Sequence, residues 1–185
     1  MKDLRIMIAA TAALALVSAC NKAGDKAGAP TEQAAKAAGE DTIGAGIAKS
    51  SKFAAAVKAA GLDATLAGPG PYTVLVPTDA AFAKLPGGAL DRLMKPEARG
   101  DLTGLLSYHI LPGTMLSSDI AKAVDAGGGK AQIATMGGGT ITATKSGDKL
   151  VLTDGAGNKA TVVTPDTKRS NGVVHEIDTV LMPKK

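Results

Sequence analysis

The spacing of apolar positions divides the chain into an early helical half and a later strand-rich half. Ile43, Ile47, Phe53, Val57 and Leu62 recur at helical spacing, which predicts two helical pieces, the second capped by Ser50 or Ser51 and stopped by Gly61. Gly68-Pro69-Gly70-Pro71 reads as a loop, and "YTVLVP" as a strand that Pro77 ends. Thr78 or Asp79 then starts a short helix, because either side chain can accept a free amide of the first turn. Leu90, Leu93 and Met94 mark one helical face, and Leu102, Leu105 and Leu106 mark another. A strand follows, up to the turn Pro112-Gly113, and "SSDIAKAVDAGGG" predicts one more short helix. From Ala131 the period changes. "AQIATM", "GTITAT", "KLVLTD", "KATVVTP" and "GVVHEIDTVLM" are runs of Val, Ile and Thr separated by Gly and Asp clusters, the pattern of antiparallel hairpins. Helices first and a mostly antiparallel sheet later define an α+β class.

The first forty residues follow neither period. Lys2 and Arg5 precede an apolar run from Ile6 to Val17. That run is too short to span a hydrocarbon core of ~30 Å but suits an export signal. It ends in Leu16-Val17-Ser18-Ala19-Cys20, which resembles the bacterial lipobox and implies cleavage before Cys20 and lipidation of its thiol. Cys20 is the single cysteine, so no disulfide forms within the chain despite the oxidising compartment that export implies. Residues 21 to 40 are Ala, Gly, Lys and small polar residues with no large apolar side chain, the composition of a tether. The expected organisation is a signal peptide over 1–19, a lipidated Cys20 and tether over 20–41, and a folded domain over 42–184. Asn21 after the cysteine favours the outer membrane in a Gram-negative cell.

Composition narrows the function. Two phenylalanines, two tyrosines and no tryptophan leave too few aromatic platforms for a single-stranded nucleic-acid groove. The net charge of +4 is spread over the chain without a basic run, so nucleic acid is not an expected partner.

Three segments, "YTVLVPTDAAFAKLP" (72–86), "YHILPG" (108–113) and "SNGVVHEIDTVLMP" (170–183), resemble the signatures of a fasciclin domain in order and spacing. The resemblance covers about 42 to 183. It implies a compact α+β domain, with a wedge-like sandwich of strands beside a group of helices, and a role in adhesion or surface contact rather than catalysis. It marks Thr78, Asp79, Phe82, Tyr108, His109, Pro112, Gly113, Asn171, Gly172, His175 and Asp178 as structural signature residues. Many relatives carry several copies of the domain, and here there is one.

The two histidines are the candidates for chemistry. No G-x-S-x-G elbow accompanies them, and Ser107 near His109 has nothing to orient it. "HEIDT" is not H-E-x-x-H, and His109 and His175 have no ligand spacing, even with Asp119, Glu176 and Asp178 as helpers. Neither a catalytic site, a metal nor a cofactor is expected. In an extended stretch Val173, His175, Ile177, Thr179 and Leu181 share one face. His175 is therefore read as a buried histidine that needs partners for both nitrogens, with Thr78 or Asp79 as the plausible ones. Tyr108 and His109 are expected to join a helix to the sheet with one ring buried. Arg99-Gly100-Asp101 spells an adhesion tripeptide, but is read as a helix end at Gly100 and a cap at Asp101. The glycine clusters "AGGGKA" and "DGAGNKAT" fit no phosphate loop and suit hairpin turns. The function expected is a non-catalytic adhesion or binding module on the bacterial envelope. It would be anchored in the membrane by its lipid and would contact an envelope or extracellular protein or a polysaccharide. The alternatives are a periplasmic small-ligand carrier or a structural envelope protein.

Overall fold

The computed structural model describes residues 41–47 and 51–184; the expected signal peptide, Cys20 and nearly all of the tether lie outside them. Helix α1 (Ile43–Ile47) and helix α2 (Ser51–Ala60) are followed by α3 (Asp63–Ala67) and strand β1 (Tyr72–Pro77). Gly61, at φ 76°, ends α2 as its position predicts. Helices α4 (Asp79–Ala83) and α5 (Ala89–Leu93), a 3-10 turn (Pro96–Ala98) and α6 (Arg99–Tyr108) lead to the short β2 (Ile110–Pro112). Helix α7 (Ser117–Ala126) precedes β3 (Ala131–Ala134), β4 (Thr140–Ser146), β5 (Lys149–Thr153), β6 (Lys159–Arg169) and β7 (Gly172–Ile177).

The seven strands form one sheet in the order β2-β1-β7-β6-β5-β4-β3. Every pairing is antiparallel except β1 with β7, which run parallel with Leu75 opposite His175. The turn after β3 returns to the other end of the order, where Met136 N–H donates to the Ile110 carbonyl at 2.8 Å and Gly137 N–H to that of Ser107 at 3.0 Å. The sheet is thus curled into a near-barrel wedge with helices against it, an α+β fold.

Two apolar clusters divide at β1. Val74 and Val76 face the helices, among Ile43, Phe53, Leu66, Phe82 and Leu102. Leu75 faces the inside of the wedge, with Ile120, Ile141, Leu152, Ile177 and Leu181. A strand buried on both faces reads as an unbroken apolar run, and that is what "YTVLVP" is. By contrast, β4 and β5 alternate between buried and more exposed positions, because one face of each meets solvent.

Several expectations change. The parallel β1–β7 pair was not anticipated from a hairpin pattern, because the partners lie about a hundred residues apart. Strand β6 runs on past Pro165, through two register irregularities, to Arg169. Strand β7 stops at Ile177, so Thr179 and Leu181 do not continue its face. Gly100 does not end a helix, and Asp101 caps none: both lie in the first turn of α6, after the 3-10 turn. Arg99 is anchored there, its Nε donating to the Ala60 carbonyl at 3.4 Å. The tripeptide is therefore helical, not an extended loop. "AGGGKA" is the exit of α7 towards β3, whereas "DGAGN" is a hairpin turn between β5 and β6.

Candidate functional site

The three signature segments meet where β1, β2 and β7 lie side by side. In the first, the Thr78 hydroxyl accepts the Ala81 N–H at 3.2 Å and caps α4. Asp79 reaches the neighbouring helix, accepting the Lys52 N–H at 3.2 Å near the start of α2. Phe82 is buried in the helical cluster.

In the second segment Tyr108 and His109 are both buried, each 1% exposed, where one buried ring was expected. The Tyr108 hydroxyl donates to the Thr140 carbonyl at 2.9 Å and accepts the Gly155 N–H at 3.1 Å. It ties the end of α6 to two hairpins of the sheet. Tyr108→Phe is expected to cost about 1–2 kcal/mol in chemical denaturation, since it removes both hydrogen bonds of the hydroxyl. His109 Nε2 accepts the Leu181 N–H at 3.1 Å, so its proton is on Nδ1, which donates to the Leu105 carbonyl at 2.8 Å. Phe53 meets the ring edge-on at 6.4 Å. Burial pushes the imidazole pKa down to about 4, against weaker opposing pulls from the Leu105 carbonyl and Asp154. Past Pro112, Gly113 (φ 88°) donates its N–H to the Pro71 carbonyl, and its own carbonyl accepts the Thr73 hydroxyl at 2.8 Å.

In the third segment the Asn171 side chain makes three bonds. Its Oδ1 accepts the Ile43 N–H at 2.7 Å, and its Nδ2 donates to the carbonyls of Leu66 and Gly68, both at 2.8 Å. Gly172 lies against β1 so closely that a Cβ would overlap the Tyr72 carbonyl oxygen. His175 bonds neither Thr78 nor Asp79 through its ring nitrogens. Its Nδ1 accepts the Asp166 N–H at 3.1 Å and its Nε2–H donates to the Met115 carbonyl at 2.9 Å. The reason is the direction of the ring: Leu75 is its register partner on β1, and the residue points into the wedge, away from Thr78. Burial lowers its pKa, against the Met115 carbonyl and Asp166. Asp178 accepts the Thr161 N–H at 2.7 Å and the Thr179 hydroxyl at 3.0 Å. Burial opposes its ionisation, but those bonds and Lys84 outweigh it, and its pKa falls below the ordinary carboxylate value.

Three polar residues that the resemblance did not mark complete this set. Thr73, fully buried on β1, also accepts the Met115 N–H at 2.8 Å. Asp154 accepts from Ala156, Asn158 and Met182 backbone N–H groups at 2.7–2.9 Å and holds the C-terminal segment. Asp166 binds Ser117. "DGAGN" contained the signal for Asp154, an aspartate opening a turn and bonding its own loop. Asp166 follows Pro165 within a strand, which signals an irregularity but not its partner.

Both nitrogens of both histidines are thus filled by backbone groups. The Ser117 hydroxyl donates to Asp166 and not to an imidazole. No group of three or more His, Cys, Asp or Glu residues is placed to hold a metal ion among the described residues. A depression of about 270 Å³ lies on the helical side, lined by Gly44, Ile47, Ala54, Ala55, Val57, Lys58 and Asp63.

What these residues define is a small α+β domain whose signature polar atoms are turned onto its own backbone. A family model described as the Fasciclin domain matches residues 48–183, and the chain belongs to that family. Ile43, fully buried, extends the core upstream of the matched stretch. The Synechocystis sp. protein sll1483 is 36% identical over 141 residues, covering 76% of this chain and 71% of that protein. The transforming growth factor-beta-induced protein ig-h3 of Sus scrofa is 38% identical over 130 residues, 70% of this chain but 17% of that protein. A solved FAS1 domain pair from the insect cell adhesion molecule Fasciclin I aligns with a TM-score of 0.48 at 22% identity, over 73% of this chain and 42% of that one.

Proposed function

We propose that this chain is a non-catalytic binding or adhesion module carried on the cell envelope through a lipidated Cys20. The observation that supports it most is the inward commitment of the signature residues: Tyr108, His109, Asn171 and His175 spend their polar atoms on backbone groups. A domain whose distinctive residues hold its own loops has its outer surface left for recognition. The family's association with adhesion and surface contact agrees with this, and so does the lipobox-like run before Cys20. The Ala, Gly and Lys composition of residues 21–40 suits a tether between that anchor and the domain.

The small-ligand carrier is the weaker reading. Among the described residues, the depression on the helical side, about 270 Å³, is smaller than the ~300–1,000 Å³ usual for enclosed small-molecule sites. The test is cross-linking in intact cells followed by detergent phase partitioning. The wild-type chain is expected in the detergent phase, cross-linked to an envelope protein or polysaccharide, and Cys20→Ser in the aqueous phase without that adduct. Equal partitioning of the two, or turnover of a substrate by the purified domain, would overturn the proposal. Asp101→Glu is expected to leave any adhesion unchanged, because the tripeptide is held in the first turn of α6.

A further inference from the structure

Helix α7 has no cap of its own. Its N-cap residue, Leu116, offers no side-chain acceptor. The acceptor comes from β6 instead. Asp166 takes the Ser117 N–H on one oxygen at 2.7 Å and the Ser117 hydroxyl on the other. Asp166 lies where the register of β6 against β7 shifts, between Thr164 and Thr167, and has a φ of 59°. Its own N–H is bonded to Nδ1 of His175, and its Oδ1 lies 3.9 Å from that same nitrogen. The other nitrogen of His175 holds the carbonyl of Met115, two residues before Ser117. One imidazole therefore supports both the cap and the loop in front of the helix.

We propose that His175, Asp166 and Ser117 form an acid-sensitive latch, which releases the start of helix α7 and the loop before it while the rest of the domain stays folded. A proton on Nδ1 removes the lone pair that accepts the Asp166 N–H and sets two N–H groups against each other. The same proton makes the ring a cation, with a carboxylate 3.9 Å away. When that carboxylate turns to the ring it leaves Ser117, and α7 loses its cap.

Among the described residues, the other elements around the ring bring no competing charge. Strand β1 supplies Leu75, and the loop supplies the Met115 carbonyl. Glu176 is on the opposite face of β7, bonded to the Thr164 hydroxyl at 2.6 Å. Asp119 on α7 is exposed beside Lys122. In the closed form burial holds the imidazole below its ordinary pKa, whereas in an opened, hydrated form it regains a value near 6.5. Opening therefore takes up a proton, and becomes more favourable as pH falls below about 6.5.

His109 makes the contrast. It is wholly enclosed, and the oxygens of the nearby Asp154 are already bonded to Asn158 and Met182, among others. Its protonation has no local outlet and is coupled to unfolding of the domain. Release of α7 alone uncovers Ile120 and Val124 and the sheet residues Ile133 and Ile141 behind them.

The test is amide hydrogen exchange on the full chain, corrected for the intrinsic pH dependence, at about pH 7.5 and about pH 5. Protection of the Ser117, Ile120 and Asp166 amides is expected to fall severalfold on acidification, with the β4–β5 amides unchanged. His175→Asn can keep an acceptor for the Asp166 N–H but does not titrate, and is expected to abolish the fall. The His175 ring nitrogens, followed by NMR, are expected to titrate with the same midpoint as the Ser117 amide. Protection that stays constant, falls equally in β4–β5, or falls in His175→Asn as in the wild type would overturn the latch. So would two different midpoints.

Discussion

Asn171→Ala is expected to lower the free energy of unfolding by about 3–5 kcal/mol, measured by urea denaturation at neutral pH. The side chain carries three bonds at 2.7–2.8 Å between segments far apart in sequence. Truncation leaves the Ile43 N–H and the carbonyls of Leu66 and Gly68 without partners. Each such buried group costs about 1–3 kcal/mol when orphaned, and part of that is recovered if water enters. The loss is a large share of the ~5–15 kcal/mol that holds a domain together. Asn171→Asp separates hydrogen bonding from shape. It is isosteric and keeps an acceptor for Ile43, but it sets a carboxylate oxygen against two carbonyls. It is expected to be nearly as destabilised as the alanine variant at neutral pH, and a variant of wild-type stability would contradict the role given to Nδ2.

Stability is also expected to fall by about 3 kcal/mol between pH 6.5 and about pH 4, because of His109 alone. Its pKa drops from 6.5 in the unfolded chain to about 4 in the folded one, and each unit is worth about 1.36 kcal/mol. The direction follows from which state binds the proton first. As pH falls below 6.5 the unfolded chain is protonated while the folded one is not, so unfolding gains. Above 6.5 the contribution of neutral His109 is complete, and below about 4 both states are protonated and the slope from this residue ends. His175 acts in the same direction, since its pKa is lowered as well. Asp178 also loses its stabilising ionisation with acid, because its folded pKa lies below the ordinary carboxylate value. Urea midpoints across this range test the slope, and His109→Gln, less stable at neutral pH, is expected to lose the part due to the imidazole.

These two residues show what the sequence discloses and what it does not. Asn171 and His109 stand out in the chain as members of motifs, and the α+β class follows from the change of apolar period near Ala131. The core positions Ile43, Phe53, Val57, Leu102, Leu105 and Leu106 are legible because a helix must bury one face. The doubly buried β1 is legible as an apolar run, though its parallel partner is not, since nothing local pairs Leu75 with His175. The partners of the polar side chains are the least legible part. His175 was expected beside Thr78 or Asp79 because the motifs lie close together, yet its ring points into the wedge and meets Met115 and Asp166. A side-chain acceptor and a backbone donor leave no periodic trace, so Asn171 with Ile43 and Asp79 with Lys52 appear only once the chain has folded.

Both histidines are neutral clamps on backbone groups, which fixes where their protons sit. His109 accepts at Nε2 from Leu181 and must carry its proton on Nδ1, whereas His175 accepts at Nδ1 from Asp166 and must carry its proton on Nε2. A long-range proton–nitrogen correlation spectrum of the imidazoles at neutral pH reads this directly. The expected result is two neutral rings in opposite tautomers, each fixed. A charged ring, a pair of identical tautomers, or a ring exchanging freely between the two forms would contradict it.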